Sequence, residues 1–156
     1  MVMSLQLRHA FRLDVALRPA IDAGQTYRGH RRIVPIVGGA FAGERLRGVI
    51  LPGGADWNVV RPDGVTHIWA RYELQTDDGA VISVINEGLG RVSPAQMQHI
   101  FSGHPAEVGE WYTRTTPRFE TAAPRYHWLN AAIFVGDLLP PTENPWAVSI
   151  EVYEVL

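Results

Sequence analysis

Apolar and polar residues alternate along the first recognisable element of the chain. From Leu5 to Leu17 (LQLRHAFRLDVAL) the odd positions are almost all apolar and the even ones polar or small. A period of two belongs to a strand with one buried face, and Pro19 and Gly24 end it. Tyr27 to Ile36 reads as a second strand, stopped by Gly38-Gly39. Ala40 to Leu51 reads as a third, bulged or bent at Gly43 and Gly48. Turns at Pro52-Gly53-Gly54 and Pro62-Asp63-Gly64 bracket a short strand over Asp56 to Val60. Val65 to Thr76 and Ala80 to Asn86 form a hairpin through Asp77-Asp78-Gly79. Ser93 caps one short helix near 93–102, Pro94 opens it and Gly103 stops it. Glu110 to Thr121, Tyr126 to Val135 and Trp146 to Leu156 complete the strands.

Eight to ten strands and one short helix predict an all-β fold. Such a chain must cover its strand edges, as a sandwich or a closed barrel. Long strands curved by glycine favour a single antiparallel closed β-barrel of the lipocalin or calycin kind. One domain over 1–156 is expected. A barrel of about eight strands leaves room for one small ligand.

Composition narrows the chemistry. The sequence has 14 basic and 16 acidic residues, a net charge of -2, and so no basic field for nucleic acid. Its one basic run, Arg28 to Arg32 (RGHRR), reads as a solvated strand end, with Arg32 kept as a candidate substrate-binding residue. There is no Cys, and every basic residue other than histidine is Arg. A thiol nucleophile, a Cys-ligated metal, a Schiff-base lysine and a P-loop lysine are therefore excluded. No apolar run approaches the roughly 18 residues that span a bilayer. The first residues lack a signal peptide's pattern, so a cytoplasmic protein with no membrane partner is expected.

The six histidines show no metal-ligand spacing, and none of the five serines sits in G-x-S-x-G. No metal and no cofactor are expected. Three constellations remain. In Gly53-Gly54-Ala55-Asp56-Trp57 a carboxylate leaves a tight turn beside a large aromatic. If water is kept from it, Asp56 becomes a general base; otherwise it caps backbone amides while Trp57 packs. In Trp69-Ala70-Arg71-Tyr72, Arg71 points either into a polar lumen or into solvent. In Arg114 to Thr121, Arg114, Thr116, Arg118 and Glu120 share one strand face, as an anion site with Glu120 as proton shuttle or as a surface ladder of ion pairs. Tyr112, Tyr126, Trp128 and Trp146 either line a pocket or fill the core.

Several segments together resemble one bacterial and fungal family. They are Gly29 to Gly39 (GHRRIVPIVGG), Phe41 to Gly54 (FAGERLRGVILPGG), Ala55-Asp56-Trp57, Ala70-Arg71-Tyr72, Thr76 to Gly79 (TDDG), Arg114 to Pro124 (RTTPRFETAAP) and Trp128-Leu129-Asn130. The family is the domain-of-unknown-function family three-two-three-seven, and the resemblance spans about Leu5 to Leu156. It implies a small closed calycin-like barrel that assembles as a homo-oligomer. It also implies that Asp56, Arg71, Arg114 and Glu120 belong to a shared signature. This chain departs from the family pattern at Ile68-Trp69, at Thr113 and in the loop Asp137 to Asn144. If Trp69 and Thr113 face the lumen, its pocket is reshaped.

The leading expectation is a cofactor-free enzyme acting on a small enolisable or phenolic molecule: an isomerase, cyclase, hydratase or lyase. Asp56 or Glu120 would move the proton, and Arg71 and Arg114 would hold the oxyanion. Arg32, Trp57, Trp69, Tyr72, Tyr126 and Trp128 would bind the substrate. The alternative is a non-catalytic binding or carrier barrel. A third reading, a purely structural role, requires a filled barrel with no pocket.

Overall fold

The computed structural model describes residues 1–156. Its strands are β1 (Leu7–Leu17), β2 (Ile21–Thr26), β3 (Gly29–Gly43), β4 (Arg47–Ile50), β5 (Gly54–Val60), β6 (Thr66–Thr76), β7 (Val81–Gly90), β8 (Thr113–Glu120), β9 (Phe134–Leu138) and β10 (Ala147–Val155). Helix α1 (Pro94–Phe101) joins β7 to β8, and a 3-10 helix (Pro124–Ala131) joins β8 to β9. Ser93 Oγ accepts the N–H of Gln96, the expected N-cap.

The sheet closes because β1 pairs with β10 on one side and with β3 on the other. Strands β5 and β4 lie end to end between β3 and β6, so they fill one position of the wall. The result is a closed antiparallel barrel with eight positions, flanked by β2, which pairs only with the first part of β3. The expected fold class is therefore the observed one.

Two expected boundaries are corrected. The pair Gly38-Gly39 does not stop a strand: β3 runs through it to Gly43, exchanging β2 and β5 for β1 and β4 as neighbours. Gly39 makes this possible, with φ of +127° and the backbone carbonyl carbon of Asp14 only 3.1 Å from where a Cβ would stand. The segment Tyr126 to Val135 is not one strand. Pro124 opens a 3-10 helix there, and the Asn130 side chain holds both the N–H and the C=O of Thr121 at 2.9 Å, folding the chain back on itself.

Alternation decides which side chains face inward. Along β6, Thr66, Ile68, Ala70, Tyr72, Leu74 and Thr76 are buried, and the residues between them are more exposed. One end of the barrel is filled by aromatic rings. Phe119 lies 5.5 Å from Phe11 and 5.1 Å from Phe134, and Phe41 lies 6.2 Å from Phe11. Leu129 of the 3-10 helix is fully buried with them. No helix is long and apolar enough to cross a membrane.

Candidate functional site

The other end, beside α1, is hollow. A cavity of about 130 Å³ opens there, walled by residues of β1, β3 and β5 to β10 and covered by helix and loop residues that include Met97, Ile100, Phe101 and Trp111. Sixteen of its twenty-four lining residues are hydrophobic, so it suits an apolar molecule with few polar groups.

Asp56 brings a carboxylate into that wall. It is half-buried, and Asp56, Asn58 and Val60 share the inward face of β5. Between β5 and β6 the register runs through Ala55–Arg71 and Asp56–Ala70 and resumes at Val59–His67. In the gap Trp69 donates its backbone N–H to Asp56 Oδ1 at 3.1 Å. Asn58 Nδ2 donates to Asp56 Oδ2 at 3.4 Å. Enclosure pushes the Asp56 carboxyl up to about 6, although those two hydrogen bonds and the charges of His67 and Arg31 pull it down. A carboxylate poised near neutrality is suited to taking and returning a proton.

Polar groups without a protein partner surround it. Asn58 Oδ1, Thr66 Oγ1, the Tyr72 hydroxyl and Asn86 Oδ1 are buried, make no hydrogen bond within the protein, and belong to residues that line the cavity. Unpaired groups of this kind are costly in a folded interior and call for a partner. Burial, and secondarily the charge of Asp56, pushes the Tyr72 hydroxyl upward, so it stays a neutral donor. Gly54 makes room for Tyr72, since a Cβ there would stand 2.6 Å from Tyr72 Cβ.

The other expected site residues lie elsewhere. Arg71 is exposed on the outward face of β6, where alternation with Ala70 and Tyr72 puts it. Arg114, Thr116, Arg118 and Glu120 share one face of β8 as expected, but that face is the outer one, and Arg114 pairs with Asp137 at 2.7 Å. Trp57 and Trp69 meet edge to face on the outside, 5.7 Å apart. Tyr126 and Trp128 close the filled end: Tyr126 donates to Asp78 at 3.0 Å, and Arg45 lies 3.8 Å over the Trp128 ring. The expected oxyanion pair of arginines and the Glu120 shuttle are corrected by strand parity: the inward positions of β6 and β8 are uncharged, and their charged alternates Arg71, Arg114 and Glu120 face solvent. Arg32 is buried and lies 4.3 Å over Phe101, a lining residue.

A family model described as "Protein of unknown function (DUF3237)" matches residues 5–155. The chain belongs to this family. The UPF0311 protein RPA1785 of Rhodopseudomonas palustris is 37% identical over 157 residues, covering 100% of both chains. Its crystal structure superposes with a TM-score of 0.88 at 35% identity, over 99% of this chain and 100% of the other. A β-barrel-like protein from Acinetobacter baumannii gives a TM-score of 0.82 at 34% identity, over 100% and 99%. A structure described as an enzyme from Penicillium herquei gives 0.74 at 21% identity, over 100% and 98%, a likeness of fold alone.

Of the departures from the DUF3237 pattern, Thr113 does face the lumen and Trp69 does not. Other lining residues were missed in the sequence, though three left a trace. Asn86 continues the buried series Ile82, Val84, Asn86 of β7, and Asn58 follows Asp56 by two. A polar amide inside an apolar alternation is the signal. Trp111 lies just before β8, yet it continues the inward series Thr113, Thr115, Pro117 and Phe119, so the strand expected over Glu110 to Thr121 already carried its signal.

Proposed function

We propose that this DUF3237 member is a cofactor-free enzyme that moves protons on a small enolisable or phenolic molecule bound in the barrel cavity. The observation that carries the reading is Asp56: a carboxyl pushed up to about 6, in an apolar cavity lined by four residues whose buried polar atoms lack partners. In the reaction Asp56 takes the proton from a carbon next to a carbonyl, or from a phenol. The C–H electron pair moves into a new C=C bond, and the carbonyl oxygen becomes an enolate. The neutral Tyr72 hydroxyl donates to that oxygen, in the role first expected of arginine. Asp56 then returns the proton, to the same carbon or to another one, which completes an isomerisation. The Penicillium herquei enzyme supports this only in that the barrel is compatible with catalysis.

The carrier alternative keeps the same cavity without turnover, and the largely apolar lining favours it. Proton exchange separates the two. The protein is incubated in D2O with small aryl ketones, lactones and phenols, and loss of C–H signal is followed by NMR. Exchange above background that disappears in a folded Asp56→Asn variant is expected. Equal exchange in the variant removes Asp56 as the base, and ligand-induced shifts without any exchange leave the carrier.

A further inference from the structure

Arg32 is the only one of the 14 arginines that is buried, at 8% exposure. No hydrogen bond or ion pair within the protein reaches its guanidinium, which lies against the Phe101 ring. Burial lowers its affinity for its proton, opposed only by the field of Asp22. Asp22 stands opposite Arg32 on β2, yet its Oδ1 is taken by His30 at 2.7 Å and by the Gly24 N–H at 2.8 Å. A buried, unpaired cation is costly unless something negative completes it.

Its placement says what that is. Arg32 shares the inward face of β3 with Val34 and Ile36, both of which line the cavity. On β5 it stands opposite Asn58, whose Oδ1 is one of the unpartnered atoms, and Asp56 follows two positions further into the barrel. Two strand positions are about 7 Å. The apolar space thus has a proton acceptor in its wall, while the guanidinium, on the next inward position of β3 beyond Val34, lies against Phe101 at the α1 end.

We infer that Arg32 is a specificity-determining residue that binds a carboxylate on the substrate, so that the ligand class is an aryl or enolisable carboxylic acid whose acid group sits at the α1 end and whose reactive hydroxyl or carbonyl reaches Asp56. The inference rests on the cavity being the ligand site, and it names the charge of the ligand. A guanidinium meets a carboxylate with two parallel hydrogen bonds, a fit that a neutral group does not reproduce. Asp56 at the other end would repel a second carboxylate, which fixes the orientation.

The test compares acids with their neutral isosteres: benzoate, 4-hydroxybenzoate, phenylacetate and 3-phenylpropionate, each beside its carboxamide. Binding is read from the fluorescence of Trp111 and Trp146, which line the cavity, and by calorimetry. At least one acid is expected to bind about ten- to hundredfold more tightly than its amide, the range of hydrogen bonds to charged groups. Arg32→Gln should erase that preference while amide binding stays, and Arg32→Lys should retain part of it. Asp22→Asn, an exposed change that spares the core, should tighten acid binding, and it serves if Arg32→Gln does not fold. Equal binding of acids and amides, or a preference unaltered in both Arg32→Gln and Asp22→Asn, overturns the role of Arg32 and leaves the cavity as a site for neutral ligands. No binding by any acid or amide overturns the cavity reading and this inference with it.

Discussion

The carboxylate of Asp56 accepts the backbone N–H of Trp69 at 3.1 Å, across a gap in the β5–β6 ladder. A side chain stands there where a strand carbonyl would otherwise pair. The bond ties the carboxylate to the wall and leaves its other oxygen only a 3.4 Å contact with Asn58. The bond fixes the carboxylate's position and by itself lowers its affinity for a proton; enclosure in the wall raises that affinity and outweighs it.

The first expectation is direct. Carbon-detected NMR titration of the Asp56 carboxyl should give a midpoint near 6, well above the exposed carboxylates. If Asp56 is the base, kcat/KM should rise about tenfold per pH unit below that midpoint and level off above it. A midpoint near 4 would contradict the enclosure of the group.

Stability should carry the same signature with a definite sign. The folded-state value of about 6 lies above the ordinary carboxylate value of 3.8, so the native state binds the Asp56 proton more tightly than the unfolded chain does. The contribution is fully favourable below pH 4 and is lost as pH rises through 6. Asp56→Asn should therefore leave stability nearly unchanged at pH 4 and raise it by about 2 kcal/mol at pH 7, a figure reduced for the water that reaches a half-buried group. Asn keeps an acceptor for Trp69, and the Asn58 amide can turn its unpartnered Oδ1 toward the new side chain. Urea unfolding at the two pH values checks the difference.

Tyr72→Phe removes a buried hydroxyl that has no protein partner. Stability should hold or rise by up to about 1 kcal/mol, because an unpaired polar group leaves the interior. Turnover should fall about 100- to 1000-fold if the hydroxyl donates to the oxyanion. Thermal unfolding and steady-state kinetics on one preparation separate the two effects.

Arg71→Ala, Arg114→Ala and Glu120→Ala should each change stability by less than about 1 kcal/mol, as expected of the outer wall. Turnover and ligand affinity should stay at the parent level. A large loss in turnover for any of them, with the fold intact by circular dichroism, would return that residue to the site.

The residues of β1 and β10 show how much was legible beforehand. Phe11, Leu13 and Val15 alternate with polar neighbours, as do Ile150 and Val152, and the buried set follows that period. Asp78-Gly79 marks its hairpin and Ser93 its helix cap, because turn and cap chemistry are local. Gly38-Gly39 misled, since a glycine pair bends a strand as readily as it ends one, and the new partners β1 and β4 lie distant or later in the chain.

The sequence by itself determined the all-β class and the side chains available for chemistry, since composition and two-residue periodicity are properties of the chain alone; it favoured a closed barrel, and its shared segments carried the resemblance to the family. Only the tertiary structure decided which inward positions meet the cavity and which the filled end, and which face of β6 and β8 is the inner one. Arg71 and Tyr72 are neighbours in sequence, yet one meets solvent and the other the cavity, because the pleat turns successive side chains to opposite sides and closure of the sheet makes one of those sides the lumen. The same closure brought Asp56, Tyr72 and Asn86 from three strands to one hollow end and sent Tyr126 and Trp128 to the filled one.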